Sequence, residues 1–435
     1  MSKKGWVVTF AGMGLNLALG VLYAWSMFSK QLTETIDKGG FGWTKTQATL
    51  PYTIAIAVFA IMMVPAGRLQ DKFGPRIVAT AGAAFCGIGL MVASLGSPES
   101  ALPMVIGFGI LTGSGLGLGY AAATPAAVKW FPAEKKGLIT GIVVAGFGLA
   151  PVYIAPLSKY LLTSYGVNSA FMILGTGFLI AAGIAAQFLK NPPAPAAPSK
   201  SASSGSAAPA VSKDRSWKEM LKTPEFYSLY IQYACAATAG LMIIGHLAKI
   251  VAVQSGGAIT IGFLFVSVLA IFNASGRIIA GIVSDYIGRV MTLTFVFIMQ
   301  AIMMFFFSQL STVTAFMLGA ALVGFNYGAC LSLFPATAAD YWGTKNLGLN
   351  YGILFTAWGV GGVFGPMLAG YIADSTHVYT GAYQIAGGLL MFAALLAMVG
   401  YLSFSIDPQN KQIVISYGKK KAAKAVEATP QFAAE

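Results

Sequence analysis

The chain has 435 residues, 57% of them hydrophobic and only 9% charged, with a formal net charge of +13. A soluble globular chain carries about 25% charged residues, so the composition excludes a soluble enzyme or a soluble binding module. Apolar stretches long enough to cross a hydrocarbon core of roughly 30 Å recur along nearly the whole length, which makes this a polytopic membrane protein.

Marking spans between charge clusters predicts twelve membrane helices, over residues 6–29, 47–67, 77–96, 102–127, 137–161, 167–189, 226–252, 258–281, 290–309, 312–337, 347–372 and 379–405. Span 1, "WVVTFAGMGLNLALGVLYAWSMF", is too long for a signal-peptide core and lacks a small-residue cleavage pattern, so it is expected to stay as a span. It carries Tyr23 and Trp25 as candidate cavity residues. Before span 2, Thr44 and Gln47 of "TKTQ" have capping-box spacing and predict a helix start. After span 2 comes "GRLQDKFGPR", residues 67–76. Its glycines allow a tight turn, and Asp71 can cap the next helix or pair with a base. Span 4 carries "GSGLGLGY", ending at Tyr120. Those glycines lie inside a span instead of following a strand, so they are no phosphate loop, and they let helices approach closely. Span 5 opens with "GLITGIVVAGFG", residues 137–148.

Between spans 6 and 7 lies "NPPAPAAPSKSASSGSAAPAVSKDR", a flexible linker by its Pro, Ala and Ser content. "SWKEMLKTPEFYSLY" then reads as a short amphipathic lead-in, with Pro224 permitting a bend before span 7. The predicted organisation is a six-helix half over 1–189, a cytoplasmic linker over 190–225, a second six-helix half over 226–405 and a cytoplasmic tail over 406–435. The halves repeat. "GIVSDYIGR" at 281–289 follows span 8 as "GRLQDKFGPR" follows span 2, and "GLNYGILFTAWG" at 348–359 matches "GLITGIVVAGFG". Internal repeats of this kind mark transporter folds. The expected fold is therefore an all-α membrane protein of twelve transmembrane helices in two pseudo-symmetric six-helix halves.

Basic residues predict the orientation. With the N-terminus inside, the cytoplasmic side collects Lys3, Lys4, Arg68, Lys72, Arg76, Lys129, Lys135, Lys136, Arg289 and Lys345, besides the linker and tail lysines and arginines. The outer side has Lys30, Lys38, Lys45 and Lys159, with Lys249 near an outer helix end. Both termini are expected in the cytoplasm and the chain in the cell (inner) membrane. The basic excess fits an inner face beside anionic lipid and calls for no nucleic acid. Cys86, Cys235 and Cys330 all fall within spans and read as small packing residues.

Arg277, within "AIFNASGRIIAGIVSDYIGR" of span 8, is the feature that points to function. A central arginine is disfavoured by about 2.5–3.5 kcal/mol on insertion scales, and such residues usually face a bundle interior or a wet cavity. It precedes Asp285 by eight residues, on the order of 12 Å along a helix, deeper than comfortable snorkelling. No span centre carries an acid, so an anionic substrate is the natural counter-ion, and a planar guanidinium matches a carboxylate bidentately. The alternative is an arginine bonded to carbonyl oxygens or snorkelling inward. Asn273 sits one turn away on the same face and offers donor and acceptor. Tyr120 and Tyr327, on repeat-related spans 4 and 10, are candidates to bind carboxylate or to pack; Phe355 and Trp358 on span 11 are further cavity candidates. His246 is the one histidine inside a span, with Lys249 three residues on. It either relays protons or sits partly wetted at an outer helix end with Lys249 snorkelling, and the second reading is the simpler.

The chain resembles the major facilitator superfamily over essentially its whole length, "GRLQDKFGPR" being similar to that superfamily's loop between helices 2 and 3. "FGWTKTQATLPYTI", "WFPAEKKGLITG", "MLKTPEFYSLY" and "NYGILFTAWG" look like the oxalate/formate antiporter branch and its monocarboxylate transporter relatives. The resemblance implies alternating access around a central carboxylate site, with a binding arginine on helix 8 at Arg277. Many monocarboxylate transporters place Asp, implicated in proton coupling, where this chain has Asn273, which cannot titrate. The oxalate carrier places a second cation, lysine, where this chain has Trp358. A dianion calls for two cations; one cation beside an indole suits a monoanion such as lactate or pyruvate.

The expected function is secondary transport of a short monocarboxylate, coupled to protons by symport, with carboxylate exchange as the alternative. The glycine-proline run at 352–370 is similar to an antiporter motif but sits on span 11 instead of span 5. A carboxylate sensor would need an output domain that neither linker nor tail supplies. A membrane enzyme would need a metal cluster, nucleophile–base pair or phosphate loop. No cofactor and no metal are expected, and the chain is expected to act as a monomer.

Overall fold

A computed structural model describes residues 3–193, 214–259, 261–406 and 413–417. Eleven helical segments are long and apolar enough to cross a membrane, and one of them, Ala133–Gln187, holds two spans. Gly166 bends it with φ 75° and ψ 177°, a conformation that favours glycine. The membrane helices are therefore α1 (Lys3–Thr33), α2 (Lys45–Phe73), α3 (Pro75–Ala93), α4 (Leu102–Val128), α5 and α6 on either side of Gly166, α7 (Pro224–Ile244), α8 (Gly262–Ile287), α9 (Arg289–Phe307), α10 (Val313–Trp342), α11 (Leu347–Thr376) and α12 (Thr380–Tyr401). Large apolar side chains such as Ile77, Phe85, Phe295 and Phe392 stay exposed, as a lipid-facing surface requires.

Several predicted features have direct counterparts. Thr44 Oγ1 accepts from Gln47 N at 3.2 Å while Gln47 Oε1 accepts from Thr44 N at 2.9 Å, closing the capping box at the start of α2. The lead-in forms a one-turn helix, Trp217–Met220, capped by Ser216 and Glu219, before Pro224 opens α7. The three cysteines are free and buried. Most of the linker, 194–213, and the end of the tail, 418–435, lie outside the described residues.

Other limits need correction. Span 7 is broken: α7 ends at Ile244, and a second piece, Leu247–Gln254, resumes after His246. Span 1 is interrupted by a 3₁₀ turn over Gly20–Ala24. Helices α2 and α8 run further than predicted, to Phe73 and Ile287, because their last turns are polar and leave the apolar region without leaving the helix. The tail begins with an antiparallel hairpin, β1 (Leu402–Ile406) against β2 (Ile413–Tyr417), which the sequence reading does not contain.

Extending α2 and α8 changes what Asp71 and Asp285 do. Gly74 and Gly288, at φ 85° and 93°, turn so sharply that α3 and α9 start at the very next residue. Neither aspartate caps the helix that follows it. Asp71 instead accepts from Gly348 N (3.2 Å) and Leu349 N (2.9 Å) at the start of α11. Asp285 accepts from Gly137 N and Leu138 N, both 2.9 Å, at the start of α5. Each carboxylate thus sits on the positive end of a helix in the other six-helix set. Pairing with bases is as expected: Asp71 lies 3.7 Å from Lys129, Asp285 2.7 Å from Arg289, and Asp340 joins Arg289 (2.8 Å) and Lys136 (3.0 Å). The end of the linker joins this face as well, with Asp214 accepting from Thr344 N and Lys345 N, and Arg215 O accepting from Asn346 and Asn350.

Glycine makes these contacts possible. A Cβ on Gly67 would stand 2.1 Å from Gly348 O, and one on Gly137 would stand 2.1 Å from Gly281 O. The linker face is therefore closed, backbone against backbone. A Gly67→Val substitution should wedge α2 from α11 there, at a cost of about 1–3 kcal/mol. In detergent, maleimide labelling of a Tyr351→Cys reporter should then rise several-fold over the same reporter with Gly67 intact. Unchanged labelling would mean that the face does not depend on this contact.

Candidate substrate site

Helix α8 carries its arginine into the centre of the molecule. Arg277 is fully buried, and Asn273, one turn earlier, is 2% exposed. Arg277 Nε donates to Asn273 Oδ1 at 2.9 Å, and Nη1 donates to the carbonyl oxygen of Val144 on α5. Nη2 has no hydrogen-bond partner. Among the described residues, no carboxylate lies within ion-pair distance of this guanidinium. The carbonyl bond of the alternative reading is present, while Nη2 is left unpaired. A buried donor without a partner is costly, about 1–3 kcal/mol and more where charged.

Arg277 borders a small central cavity of about 10 Å³, roughly the room one water needs. Tyr23, Tyr120, Tyr327, Phe355 and Trp358 line it together with Arg277. Trp358 Nε1 donates to the Tyr327 hydroxyl at 2.7 Å, and the Phe355 and Trp358 rings stack with centroids 5.0 Å apart. Asn273 supports the guanidinium and is not itself a cavity wall. Two candidates lie elsewhere. Trp25 donates to Ala48 O at 2.9 Å and packs on Phe108, within the first six helices. His246 sits at the break of α7, half-buried, with Nδ1 3.3 Å from Met242 O and its ring against Tyr379. The simpler reading of His246, a side chain at a helix end, matches this placement.

Sequence reasoning did not name Phe59, Phe147 and Leu331, which complete the walls. The repeat held a signal for two of them. Aligning "GLITGIVVAGFG" with "GLNYGILFTAWG" sets Phe147 opposite Trp358 and Val144 opposite Phe355. The register that pairs Gly67 with Gly281 also pairs Met63 with Arg277 and Phe59 with Asn273. The packing obeys this register: a Cβ on Gly141 would meet Arg277 O at 2.3 Å, and one on Gly352 would meet Met63 O at the same distance. Leu331 gave no comparable signal.

Among the described residues, twelve membrane helices in two related sets close around a central cavity lined by one cation, the arrangement of a transporter. The chain belongs to the Major Facilitator Superfamily, whose model matches residues 5–281 and 250–430. It is 30% identical over 384 residues to the oxalate:formate antiporter of Oxalobacter formigenes, covering 86% of each chain. It is 28% identical over 370 residues to an uncharacterized MFS-type transporter, YhjX, of Escherichia coli K12, covering 83% of this chain and 86% of that one. Human monocarboxylate transporter 2 is 24% identical over 423 residues, covering 91% and 85%. Among solved structures, the proton:xylose symporter XylE superposes with a TM-score of 0.68 at 14% identity, covering 92% of this chain and 96% of that one. The E. coli fucose:proton symporter FucP superposes at 0.67 and 12%, covering 90% and 98%.

The two lining tyrosines differ in what they support. Tyr327→Phe removes the acceptor of a buried indole N–H and should destabilise the protein by about 1–3 kcal/mol. Tyr120→Phe orphans no indole and should cost less. Thermal unfolding of both variants in detergent checks the order; equal losses would mean that the Trp358–Tyr327 bond contributes nothing.

Proposed function

We propose that this transporter carries a short monocarboxylate, of the size of lactate or pyruvate, by alternating access in symport with a proton. The observation that carries the reading is that Arg277, whose Nη2 has no partner, lines an aromatic cavity. A carboxylate oxygen would supply the partner that the protein withholds, and two bonds from one guanidinium edge would add geometric specificity. Phe59, Phe147, Phe355 and Trp358 would then cover the apolar body of the acid. One cation suits one negative charge, and Trp358 stands where the resembling oxalate carrier has lysine. The similarity to monocarboxylate transporter 2 supports the same substrate class. All these groups come from one chain, which suits a monomer. The linker face is assigned to the cytoplasm by its basic residues.

The cavity as it stands admits no acid, so binding requires the helices to part on the side away from the linker face. Symport of a proton with a monoanion is electroneutral. With Asn273 unable to titrate and His246 remote from the cavity wall, the proton is assigned to the substrate carboxylate itself. A second reading, carboxylate exchange, is favoured by the 30% identity to an oxalate:formate antiporter.

Proteoliposomes test both. Uptake of labelled L-lactate or pyruvate into empty vesicles, driven by an inward proton gradient, is the expected result. Uptake that requires internal carboxylate and ignores the gradient would assign exchange. Arg277→Ala should abolish uptake while leaving the protein folded, and Arg277→Lys should lose most of it, since an ammonium cannot form the planar fork. Normal uptake by Arg277→Ala would overturn the site. His246→Gln should keep gradient-driven accumulation; exchange without accumulation in that variant would make His246 the coupling residue.

A further inference from the structure

Arg277 is not free to choose how it presents its protons. Nε is committed to Asn273 on its own helix, and Nη1 is bonded to Val144 O on α5, in the opposite six-helix set. The side-on edge of the guanidinium, formed by Nε and Nη2, is therefore blocked at Nε, while Nη2 keeps both of its protons and Nη1 one of its two. Reaching Val144 requires the guanidinium to cross α5 where that helix has no side chain. A Cβ on Gly148 would stand 3.0 Å from Arg277 Nε and 3.2 Å from Cζ. Both lie in the range where one atom must give way, and the neighbouring Ala274 backbone, 3.2 Å from the same point, leaves little room for it to do so.

We propose that Gly148 and the Val144 carbonyl are positioning elements for substrate recognition, holding the Arg277 guanidinium so that its free Nη protons face the cavity. The proposal rests on the reading of Arg277 as the carboxylate-binding group. Because Val144 belongs to α5 and Arg277 to α8, the fork is assembled only while these two helices are together. Parting them at the linker face removes the Val144 contact and leaves the guanidinium on Asn273 alone. Affinity is then highest with the linker face closed and falls as it opens, which favours release on that side.

The test is isothermal titration calorimetry on the purified full chain, with L-lactate, pyruvate and formate as probes, in a double-mutant cycle. Gly148→Ala should weaken binding about ten-fold or more, as expected from losing the alignment of a hydrogen bond to a charged group. Arg277→Lys should weaken the parent by a similar factor, yet cost less than about two-fold further once Gly148→Ala is present, since the fork is already lost. Gly359→Ala is the control. It crowds Ala60 at the repeat-related contact and does not touch Arg277, so the full lysine penalty should persist on that background. Should Gly148→Ala not fold, Asn273→Ala releases the same guanidinium from its other anchor and should show the same non-additivity. Parent-like affinity in Gly148→Ala, or an additive lysine penalty, overturns the positioning role while leaving Arg277 as the binding group. Retention of all three probes by Arg277→Ala overturns the reading of the site itself, and the positioning role with it.

Discussion

A guanidinium buried without a carboxylate sets the terms for the centre of this molecule. Arg277 is accommodated in the interior by donating to an amide oxygen and to a helix carbonyl, and each of those bonds demands close packing. The carbonyl is in reach because α5 lacks a side chain at Gly148. Asn273 is held from behind by α10, where a Cβ on Gly328 would fall 1.9 Å from the Asn273 carbonyl oxygen. That approach of α10 to α8 also brings Tyr327 to the cavity, and Tyr327 in turn accepts from the Trp358 indole. One charge thus organises helices α5, α8, α10 and α11.

The closed linker face belongs to the same framework. Asp285 holds the start of α5 from the end of α8, and Arg277 holds the middle of α5 from the middle of α8. Asp71 holds the start of α11 from the end of α2, while Phe59 on α2 meets Trp358 on α11 with ring centroids 5.5 Å apart. Each of these helix pairs therefore carries a linker-face contact at one end and a cavity wall further along. Helices are stiff enough over this distance that a tilt opening one contact must shift the other, which gives coupling a physical carrier in place of a supposed path.

The elements that the sequence revealed are those written in local pattern. Apolar length gave the spans, the paired "GRLQDKFGPR" and "GIVSDYIGR" gave the repeat, and Thr44 with Gln47 gave a helix start. Depth in the span and the lack of an acid in any span centre singled out Arg277, and the family resemblance pointed to the same residue. What stayed hidden is non-local. Nothing in the residues around Asp71 says that its partners are Gly348 and Leu349, because a capping pattern points only to the next helix along the chain. The Val144 carbonyl is invisible in sequence for a similar reason: any residue supplies a carbonyl, and only the missing side chain at Gly148 makes this one reachable. Trp25 and Tyr23 are two residues apart and so point to different sides of their helix, and periodicity alone does not say which of those sides meets the cavity.

The repeat explains why the cavity has two unlike walls. Its two halves supply matching backbones: Gly141 against Arg277 O and Gly352 against Met63 O, Gly148 against Ala274 and Gly359 against Ala60. On this shared frame the side chains diverge. Where one side has Arg277 and Asn273, the other has Met63 and Phe59, and where one has Val144 and Phe147, the other has Phe355 and Trp358. Symmetric substitution would have buried two guanidinium groups, at positions 277 and 63, in one interior, a repulsion that further negative charge would have to relieve. Breaking the symmetry at Met63 and Phe59 leaves one charged wall and one aromatic wall. A cavity built that way distinguishes the two ends of whatever enters it.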